Sequence, residues 1–354
     1  MISYMRDFRY CRLWRGRHVT KGALSPWRQH PQGCFFAGRH TAAGERNGLV
    51  RVIRTAAAGK RGDNAMTTNI PEIRLFVSCH KAFSVPRNTL LHPLHVGAAL
   101  SADFFQEFLR DDSGENISAL NRRYCELTGQ YWVWKNVEAD YCGFFHYRRY
   151  LYPDTAARRP YIIRTAPTEK ELERLGFQDF PQLIGQYDLI APMGEDMHVS
   201  VREHYASAPF HHVKDLALTE QIIRELYPAY VPAMERYLSG SVCYFGNIFI
   251  MSRPVFDDYC HWLFDVLAEF DRRADVTGYG PQELRVDGYL AERLFGIYYT
   301  HRRAELRTLE LPRVHFDCFG GTAAERRRTR LLYHLLPPGS KRRAWVKRAG
   351  RRGA

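Results

Sequence analysis

Five consecutive residues, His146 to Tyr150, form the densest cluster of polar and aromatic side chains in the sequence. They follow the apolar run YCGFF, which predicts a buried strand. Two adjacent arginines at the carboxyl end of a strand can bind an anionic diphosphate through bidentate hydrogen bonds and stabilise a departing phosphate. The alternative is a solvated loop in which the arginines stack on the tyrosines. The placement favours function, so we predict that Arg148 and Arg149 are catalytic and that His146 and Tyr147 contact the substrate.

A second group of polar residues follows the first predicted strand. The run IRLFVSC (73–79) is apolar almost throughout, as expected of a buried parallel strand, and His80 and Lys81 come directly after it. Ligands of parallel α/β sheets bind beyond the carboxyl ends of the strands, so His80 and Lys81 could line a nucleotide pocket. An ordinary polar loop explains the two residues equally well.

Several widespread catalytic motifs are missing from the sequence. There is no G-x-x-x-x-G-K-[ST], no G-x-G-x-x-G after a strand, no G-x-S-x-G and no H-E-x-x-H. These absences exclude P-loop proteins, simple dinucleotide-binding folds, lipase-like hydrolases and zincins. Three histidines, His204, His211 and His212, give only a weak metal signal, because His211 and His212 are adjacent in the chain.

The positive charge of the protein is concentrated at its two ends. The chain of 354 residues has a formal net charge of +13. Residues 1–65 contain 13 Lys and Arg against 3 Asp and Glu, and residues 319–354 contain 11 against 1, which leaves the middle of the chain mildly acidic. A protein that binds nucleic acid is expected to carry its positive field on the folded surface that contacts the phosphates. The distribution therefore argues against a nucleic-acid partner.

The same two ends lack the pattern of a packed core. Residues 1–65 show neither helical nor strand periodicity, and we expect them to be disordered or foreign to the native protein, with Met66 as its start. Residues 66–318 are predicted to form a single domain. In residues 319–354, leucines flanked by arginines predict either a short helix packed on the domain or attraction to an anionic membrane surface.

The eight cysteines include no C-x-x-C pair, and four of them lie in apolar runs. This pattern favours buried free thiols over disulfides or a zinc site. No segment reaches the ~18–20 apolar residues that span a membrane, and no apolar stretch of the secretory type follows the first basic residues. We therefore expect a cytoplasmic protein, either soluble or peripheral on the inner face of the plasma membrane.

Segments typical of strands and of helices alternate through the middle of the chain. After the first strand come a weaker strand at 93–100 and a helix over 116–137, with Ser118 as a candidate N-cap. Further strands are predicted at 141–147, 187–192, 245–251 and 306–312, and helices within 200–238, at 255–270 and at 283–299. Such alternation implies right-handed crossovers and a mostly parallel sheet flanked by helices, so the predicted fold class is α/β.

Two of these segments carry a resemblance to a known family. NISALNRRYCELTGQYWVWKN (116–136) and GFFHYRRYL (143–151) resemble a bacterial family known largely as a domain of unknown function, whose members are usually described as capsular or exopolysaccharide glycosyltransferases. The similarity extends from about Ile73 to Cys318 and includes SCHK, YDLIAP, FGNIFIM and GYLAERL. The family is similar to GT-A glycosyltransferases, so the resemblance implies a Rossmann-like α/β domain that binds a nucleotide sugar.

The sequence departs from the GT-A pattern at the usual metal-binding position. GT-A enzymes usually carry Asp-x-Asp at a strand end to hold Mn²⁺ or Mg²⁺ on the diphosphate, whereas this chain has His-Tyr-Arg (146–148). Divalent cations prefer carboxylate oxygens, and none lies between Asp140 and Asp154. Either the arginines replace the metal, or a carboxylate from elsewhere, such as Asp188, supplies it. We favour metal independence.

Inverting sugar transfer needs a carboxylate or histidine to accept the proton of the acceptor hydroxyl. Asp287, beside Gly288 on the predicted helix 283–299, is the preferred base, with a solvated helix carboxylate as an equal alternative. Glu292 lies about 140° away on the same helix, so the two carboxylates are not expected to act as a pair. Glu292 and Arg293 are predicted to be either structural or directed towards the phosphates.

One amide stands out in the apolar segment 245–251. Asn247 is costly to bury there without hydrogen-bond partners, so it is either a satisfied core amide or a ligand of the sugar. The combined features predict a transferase that moves a hexose from a nucleotide-diphosphate sugar to a saccharide or lipid-linked acceptor in surface polysaccharide synthesis. The alternatives are a nucleotide-sugar-binding scaffold without turnover, and a nucleic-acid-binding protein driven by its basic ends.

Overall fold

The computed structural model describes residues 71–316 and, beyond them, only Leu331, Leu335, Leu336 and Arg342. The predictions for residues 1–65 and 319–354 therefore concern segments outside the described residues, apart from these four positions. The strands of the described part are β1 (Ile73–Cys79), β2 (Leu91–His95), β3 (Leu109–Arg110), β4 (Tyr141–His146), β5 (Arg149–Leu151), β6 (Tyr161–Arg164), β7 (Leu189–Pro192), β8 (Glu195–Asp196), β9 (Val242–Cys243), β10 (Phe249–Ser252), β11 (Thr308–Leu311) and β12 (Arg313–Phe316). Its α-helices are α1 (Asn121–Tyr124), α2 (Leu127–Asn136), α3 (Glu169–Arg174), α4 (Phe180–Ile184), α5 (Val201–Ala206), α6 (Val213–Leu226), α7 (Val231–Ser239), α8 (Arg253–Arg273) and α9 (Val286–Arg302).

A mixed sheet forms the centre of the fold. Its main strands follow the order β11-β7-β10-β4-β1-β2-β3. Strand β1 pairs in parallel with β2 and β4, and β7 pairs in parallel with β11, whereas β10 runs antiparallel to both β4 and β7. The short strands β5, β6 and β12 extend the sheet beyond the end of β4. The mostly parallel α/β sheet predicted from the sequence is confirmed.

Side chains alternate along the central strands and divide the core into two layers. In β1, Leu75 and Val77 face one layer and Phe76 faces the other, and in β4 the same division separates Phe145 from Phe144. Helices α3 and α4 cover the first layer, and α2 and α5 to α9 cover the second, larger one. Because both faces of the sheet are buried, the run IRLFVSC is apolar almost throughout instead of alternating.

The helix predicted over 116–137 is interrupted. The chain forms a 3₁₀ turn, then α1, then α2, and Cys125 lies between the two helices with a positive φ of 53°. Ser118 lies in the 3₁₀ turn and does not cap an α-helix, because its hydroxyl donates to Asp111 and accepts the backbone N–H of Ala99. Asp111 and Ala99 lie in the preceding segment. The spacing of apolar residues within 116–137 therefore could not predict the interruption of the helix.

The carboxyl ends of β1, β4 and β7 lie on one edge of the sheet, which we call the carboxyl edge, and the antiparallel β10 begins there. Strand β10 pairs Phe249 with Phe144 of β4. Asn247 precedes Phe249 by two positions, and His146 follows Phe144 by two, so the register brings Asn247 and His146 to the same part of this edge. Because β10 is antiparallel to β4, the carboxyl edge contains residues that precede β10 as well as residues that follow β1 and β4.

Two further predictions can be compared with the described residues. Cys79, Cys125, Cys142, Cys243 and Cys260 are free cysteines, as the sequence predicts for the apolar runs. Within the described residues, no helix is both long and apolar enough to cross a bilayer.

Candidate active site

A tight turn between β4 and β5 carries the predicted cluster. His146 is the last residue of β4 and pairs with Arg149, the first residue of β5. Tyr147 is fully buried, and its backbone N–H donates to the carbonyl of Ser78 at the end of β1. Arg148 and Arg149 remain half-buried. The turn therefore lies at the carboxyl edge, where the sequence analysis expects a ligand to bind.

The buried ring of Tyr147 brings together the residues that follow β1 and β4. The ring of His80 meets it edge-on, with centroids 5.2 Å apart, and Phe83 meets it at 5.0 Å. The Lys81 ammonium and the Arg148 guanidinium lie 5.7 and 5.3 Å from its centroid, within the range of cation–π attraction. His80, Lys81 and Arg148 consequently share one surface.

His146 lies in strongly electropositive surroundings. Its Nδ1 accepts the backbone N–H of Arg148 at 3.3 Å, so the proton of the neutral ring is on Nε2. Burial, followed by the charges of Arg149, Arg148, His80 and Arg285, holds the pKa of His146 well below its usual value. The ring therefore stays neutral near pH 7, and its Nε2–H can donate a hydrogen bond to an anionic ligand.

Arg285 is a candidate that the sequence analysis did not identify. It lies in a 3₁₀ turn just before α9, its Nε donates to the sulfur of Cys125 at 3.3 Å, and its guanidinium carbon lies 5.7 Å from the centroid of Tyr289. Cys125 can meet Arg285 because the chain breaks between α1 and α2. The sequence offers one weak signal for Arg285, a basic residue at the start of a helix, where acidic residues are more common.

Gly246 and Asn247, shortly before β10, form a left-handed turn. Gly246 has a φ of 98° and Asn247 a φ of 49°. The backbone N–H of Gly246 donates to Glu292 at 2.8 Å, and the side-chain amide of Asn247 donates to Glu126 at 2.8 Å. Gln130 donates to the Asn247 carbonyl at 3.3 Å. Three side chains thus impose a backbone conformation that non-glycine residues seldom adopt, although asparagine tolerates it better than most.

The amide oxygen of Asn247 is positioned for a further contact. The side chain is almost fully buried, and its Nδ2 is already bonded to Glu126 and to the Gly288 carbonyl. Its Oδ1 has no hydrogen-bond partner among the described residues. A buried carbonyl oxygen without a donor is unfavourable, so this atom is suited to accept a hydroxyl of a bound ligand.

Glu292 and Arg293 form a buried ion pair on α9, with Nη1 to Oε2 at 2.8 Å. Arg293 also donates from Nη2 to Nδ1 of His204 at 3.2 Å. Burial raises the pKa of Glu292. Because Gly246 and Arg293 occupy its two oxygens, Glu292 supports the left-handed turn. These contacts fit the structural alternative that the sequence analysis gave for the pair.

Asp287, the predicted base, is fully buried. Its Oδ2 accepts Nε of Arg123 at 2.9 Å, and Arg123 also pairs with Asp271 on α8. Burial, and then the neighbouring carboxylate of Asp271, raise the pKa of Asp287 well above its usual value. A carboxylate enclosed in this way does not reach an acceptor hydroxyl, so the structure does not support Asp287 as the base. Arg123 and Asp271 come from distant segments, which is why the sequence could not reveal the enclosure.

Asp188 lies at the opposite edge of the sheet. It precedes β7 and pairs with Arg307, which precedes β11, with Nη2 to Oδ1 at 2.6 Å. The hydrogen bonds from Arg307 lower the pKa of Asp188. Since β7 runs in the same direction as β4, its amino end is far from the His146 turn. Asp188 therefore does not join the site as the substrate-binding or metal-binding carboxylate that the sequence suggested.

The described residues at the carboxyl edge do not suit a divalent cation. Among them, no group of three or more His, Cys, Asp or Glu side chains could hold a metal ion. The carboxylates of Glu126 and Glu292 already accept hydrogen bonds from Asn247 and Gly246. Hard cations prefer several oxygen ligands, whereas this turn carries the two arginines Arg148 and Arg149.

The mostly parallel α/β sheet flanked by helices matches the GT-A-like fold of a glycosyltransferase. Residues 74–303 match the family described as Domain of unknown function (DUF4422), and the chain belongs to that family. The structure is similar to the apo structure of the bifunctional glycosyltransferase WbbM, with a TM-score of 0.66 and 32% sequence identity. The match covers 70% of this chain but 45% of that one, so the chain spans less than half of the length of WbbM. No curated protein matches the chain.

Proposed function

We propose that this protein is a glycosyltransferase that moves a hexose from a nucleotide-diphosphate sugar to a hydroxyl of a saccharide or lipid-linked acceptor. Its product would be a surface polysaccharide such as capsule, exopolysaccharide or O-antigen. The observation that carries the proposal is the convergence of Arg148, Arg149 and Arg285 around His146 at the carboxyl edge. Membership of the family and the similarity to a bifunctional glycosyltransferase support it.

The cationic groups would act on the leaving nucleoside diphosphate. Negative charge develops on the diphosphate as its bond to the sugar breaks, and guanidinium groups can bind phosphate oxygens in bidentate fashion. The neutral His146 would donate its Nε2–H to the same group, while His80 and Lys81 would contact the nucleotide. Because the described residues offer no set of metal ligands there, we propose that the arginines replace the Mn²⁺ or Mg²⁺ of other GT-A enzymes.

Glu126 is the best candidate for accepting the proton of the acceptor hydroxyl. It is half-buried at the N-terminus of α2, and its Oε1 is held by Asn247 at 2.8 Å. Its other oxygen makes no hydrogen bond with the described residues, whereas both oxygens of Glu292 are occupied. A carboxylate that is fixed through one oxygen and open at the other suits general base catalysis of a direct displacement. Asn247 would accept a sugar hydroxyl beside it.

A non-catalytic nucleotide-sugar-binding protein, acting as a scaffold in a polysaccharide assembly complex, is the second candidate. The enclosure of Asp287 favours it, since the carboxylate that the sequence suggested as the base is fully buried and paired with Arg123. The two candidates predict the same ligand but differ in turnover.

We further propose that residues 319–354 hold the enzyme on the inner face of the plasma membrane, where a lipid-linked acceptor would be available. Eleven basic residues and a single acidic one support this proposal. Leu331 and Leu335 are both more than half exposed and could enter the interface between headgroups and acyl chains.

A donor screen tests the proposed function. The full chain is incubated with a panel of UDP-, GDP- and dTDP-hexoses, and donor hydrolysis and transfer to methyl glycosides are followed by mass spectrometry. We expect one donor to be consumed in the presence of EDTA. Calorimetric binding of a nucleotide sugar without consumption would favour the scaffold, and the absence of both would contradict the two candidates.

A further inference from the structure

The loop between α5 and α6, residues 207–212, carries an exposed aromatic side chain. Phe210 is 42% exposed and has a φ of 65°. A bulky residue rarely adopts a positive φ, because its Cβ approaches the backbone. Such a conformation persists only where the surrounding contacts impose it, and it is found most often at functional sites.

The contacts of His211 hold one side of this loop. Its ring stacks on Tyr289 with centroids 4.1 Å apart and planes at 21°, and it meets Tyr205 edge-on at 4.6 Å. Its Nδ1 lies 2.8 Å from the carbonyl oxygen of Pro209, so the ring also fixes the backbone on the far side of Phe210. The positions of Pro209 and His211, on either side of Phe210 in the chain, are therefore fixed.

His212 provides a second anchor at the end of the loop. Its ring stacks on Tyr279 with centroids 4.3 Å apart, and its Nε2 lies 3.0 Å from the carboxylate of Glu283. Tyr279 is itself bonded to the buried Asp215 of α6. The two histidines thus attach the loop to the segment 279–289, which includes the start of α9.

Tyr289 connects the loop to the proposed diphosphate site. It follows Arg285 by one helical turn, and the Arg285 guanidinium lies 5.7 Å from its ring. The same guanidinium donates to Cys125, the neighbour of Glu126, whose carboxylate accepts the side-chain amide of Asn247 at the carboxyl edge. The loop consequently lies on the α9 side of the site, close to the Arg285 guanidinium.

We infer that this loop forms the acceptor subsite, in which a sugar ring of the saccharide acceptor stacks on Phe210. An aromatic ring offers an apolar face to the C–H groups of a sugar, while the hydroxyls remain free to bind polar neighbours. The same loop carries the polar residues Ser207, His211 and His212. The inference rests on the proposed glycosyltransferase function, and it specifies which side of the carboxyl edge receives the acceptor.

The test uses the full chain saturated with UDP and three probes, the methyl glycosides of D-glucose, D-galactose and D-mannose. Saturation-transfer NMR should show transfer to the C–H protons of one face of a single glycoside. The Phe210→Gly variant should lose roughly tenfold in affinity for that glycoside, in line with the contribution of one aromatic stacking contact. The Phe210→Trp variant should retain binding, and so should Leu226→Ala, which removes an exposed side chain at the far end of α6.

A thermal melt separates a binding role from a structural one. Glycine adopts positive φ freely, so Phe210→Gly should melt at the wild-type temperature or above it. A lower melting temperature together with unchanged glycoside binding would overturn the inference, and so would the absence of any glycoside signal with the wild type. Stronger transfer to the alkyl chain than to the ring of octyl β-D-glucoside would overturn the assignment to a saccharide. A wild-type chain that does not bind UDP by calorimetry would instead contradict the proposed function.

Discussion

Arg123 donates from Nε to the fully buried carboxylate of Asp287 at 2.9 Å, and it pairs at the same time with Asp271. One guanidinium thereby joins α1 to both α8 and α9. Tyr124, the next residue, adds a hydrogen bond from its hydroxyl to Asp271 at 2.9 Å. These contacts fix the end of α1 just before the break at Cys125, and so they fix the direction in which Glu126 leaves it.

The buried Asp287 should make the stability of the protein depend on pH. Its pKa is higher in the folded chain than in the unfolded chain, so its contribution to the free energy of unfolding falls as the pH rises above about 4. We expect Asp287→Asn to gain stability relative to the wild type between pH 4 and pH 7, by at most ~1.4 kcal/mol per pH unit. Urea denaturation at several pH values measures this difference.

Asp188→Asn is the matched control for that experiment. The hydrogen bonds from Arg307 lower the pKa of Asp188, so this group adds stability above the unfolded pKa and loses it as the pH falls. The control variant should therefore change in the opposite direction, losing stability relative to the wild type as the pH rises. Parallel pH curves for the wild type and Asp287→Asn would contradict the enclosure of Asp287.

Arg148→Ala and Arg149→Ala should each impair turnover more than folding. Losing a charge-assisted contact to the leaving group should lower kcat by roughly 10²–10³-fold. Replacement by lysine should restore only part of the lost kcat, because an ammonium group cannot form the bidentate hydrogen bonds of a guanidinium group. Arg307→Ala, at the opposite edge, should leave kcat unchanged. Loss of wild-type activity with EDTA and its return with Mn²⁺ would contradict the metal-free proposal.

Glu126→Gln should abolish most of the transfer while it preserves donor binding. The glutamine oxygen can still accept the amide of Asn247, so the left-handed turn before β10 should persist. Loss of the base should lower kcat by roughly 10²–10⁴-fold, and calorimetry should give an unchanged affinity for the nucleotide sugar. A variant with normal kcat would remove Glu126 from the mechanism.

Gly296→Ala should destabilise the contact between α7 and α9. A Cβ at this position would lie 2.0 Å from the nearest ring atom of the buried Tyr237, so either this ring or the backbone of the helices would have to move. We expect a loss of about 1–3 kcal/mol or more in thermal or urea unfolding. Gly185→Ala is the control, since its Cβ would meet nothing closer than 3.7 Å and its φ is −62°. It should be neutral or slightly stabilising.

Residues 319–354 should be required for binding to anionic membranes. Each basic residue near such a surface contributes about 1 kcal/mol of attraction. We expect the full chain to sediment with phosphatidylglycerol vesicles at low salt and a chain ending at 318 to remain in the supernatant, with an unchanged circular dichroism spectrum. Equal sedimentation of the two chains would show that the attraction lies elsewhere.

The sequence by itself determined the fold class and the position of the main cluster. Apolar runs such as IRLFVSC and YCGFF predict strands buried on both faces, and a polar residue after such a strand must come to the carboxyl edge of a parallel sheet. His146, Tyr147, Arg148 and Arg149 could therefore be placed correctly from local pattern alone. The same reasoning placed His80 and Lys81 beside them.

The tertiary structure decided which of the remaining polar residues reach the site. Helical periodicity gave the spacing of Asp287 and Glu292, but the rotation of α9 turns the first towards Arg123 and the second towards Gly246. Arg285 contacts Cys125, the residue before Glu126, at the point where the helix breaks, and this partner lies far outside the segment. Contacts between residues far apart in the chain determine where these side chains point, and a local sequence pattern does not indicate such partners.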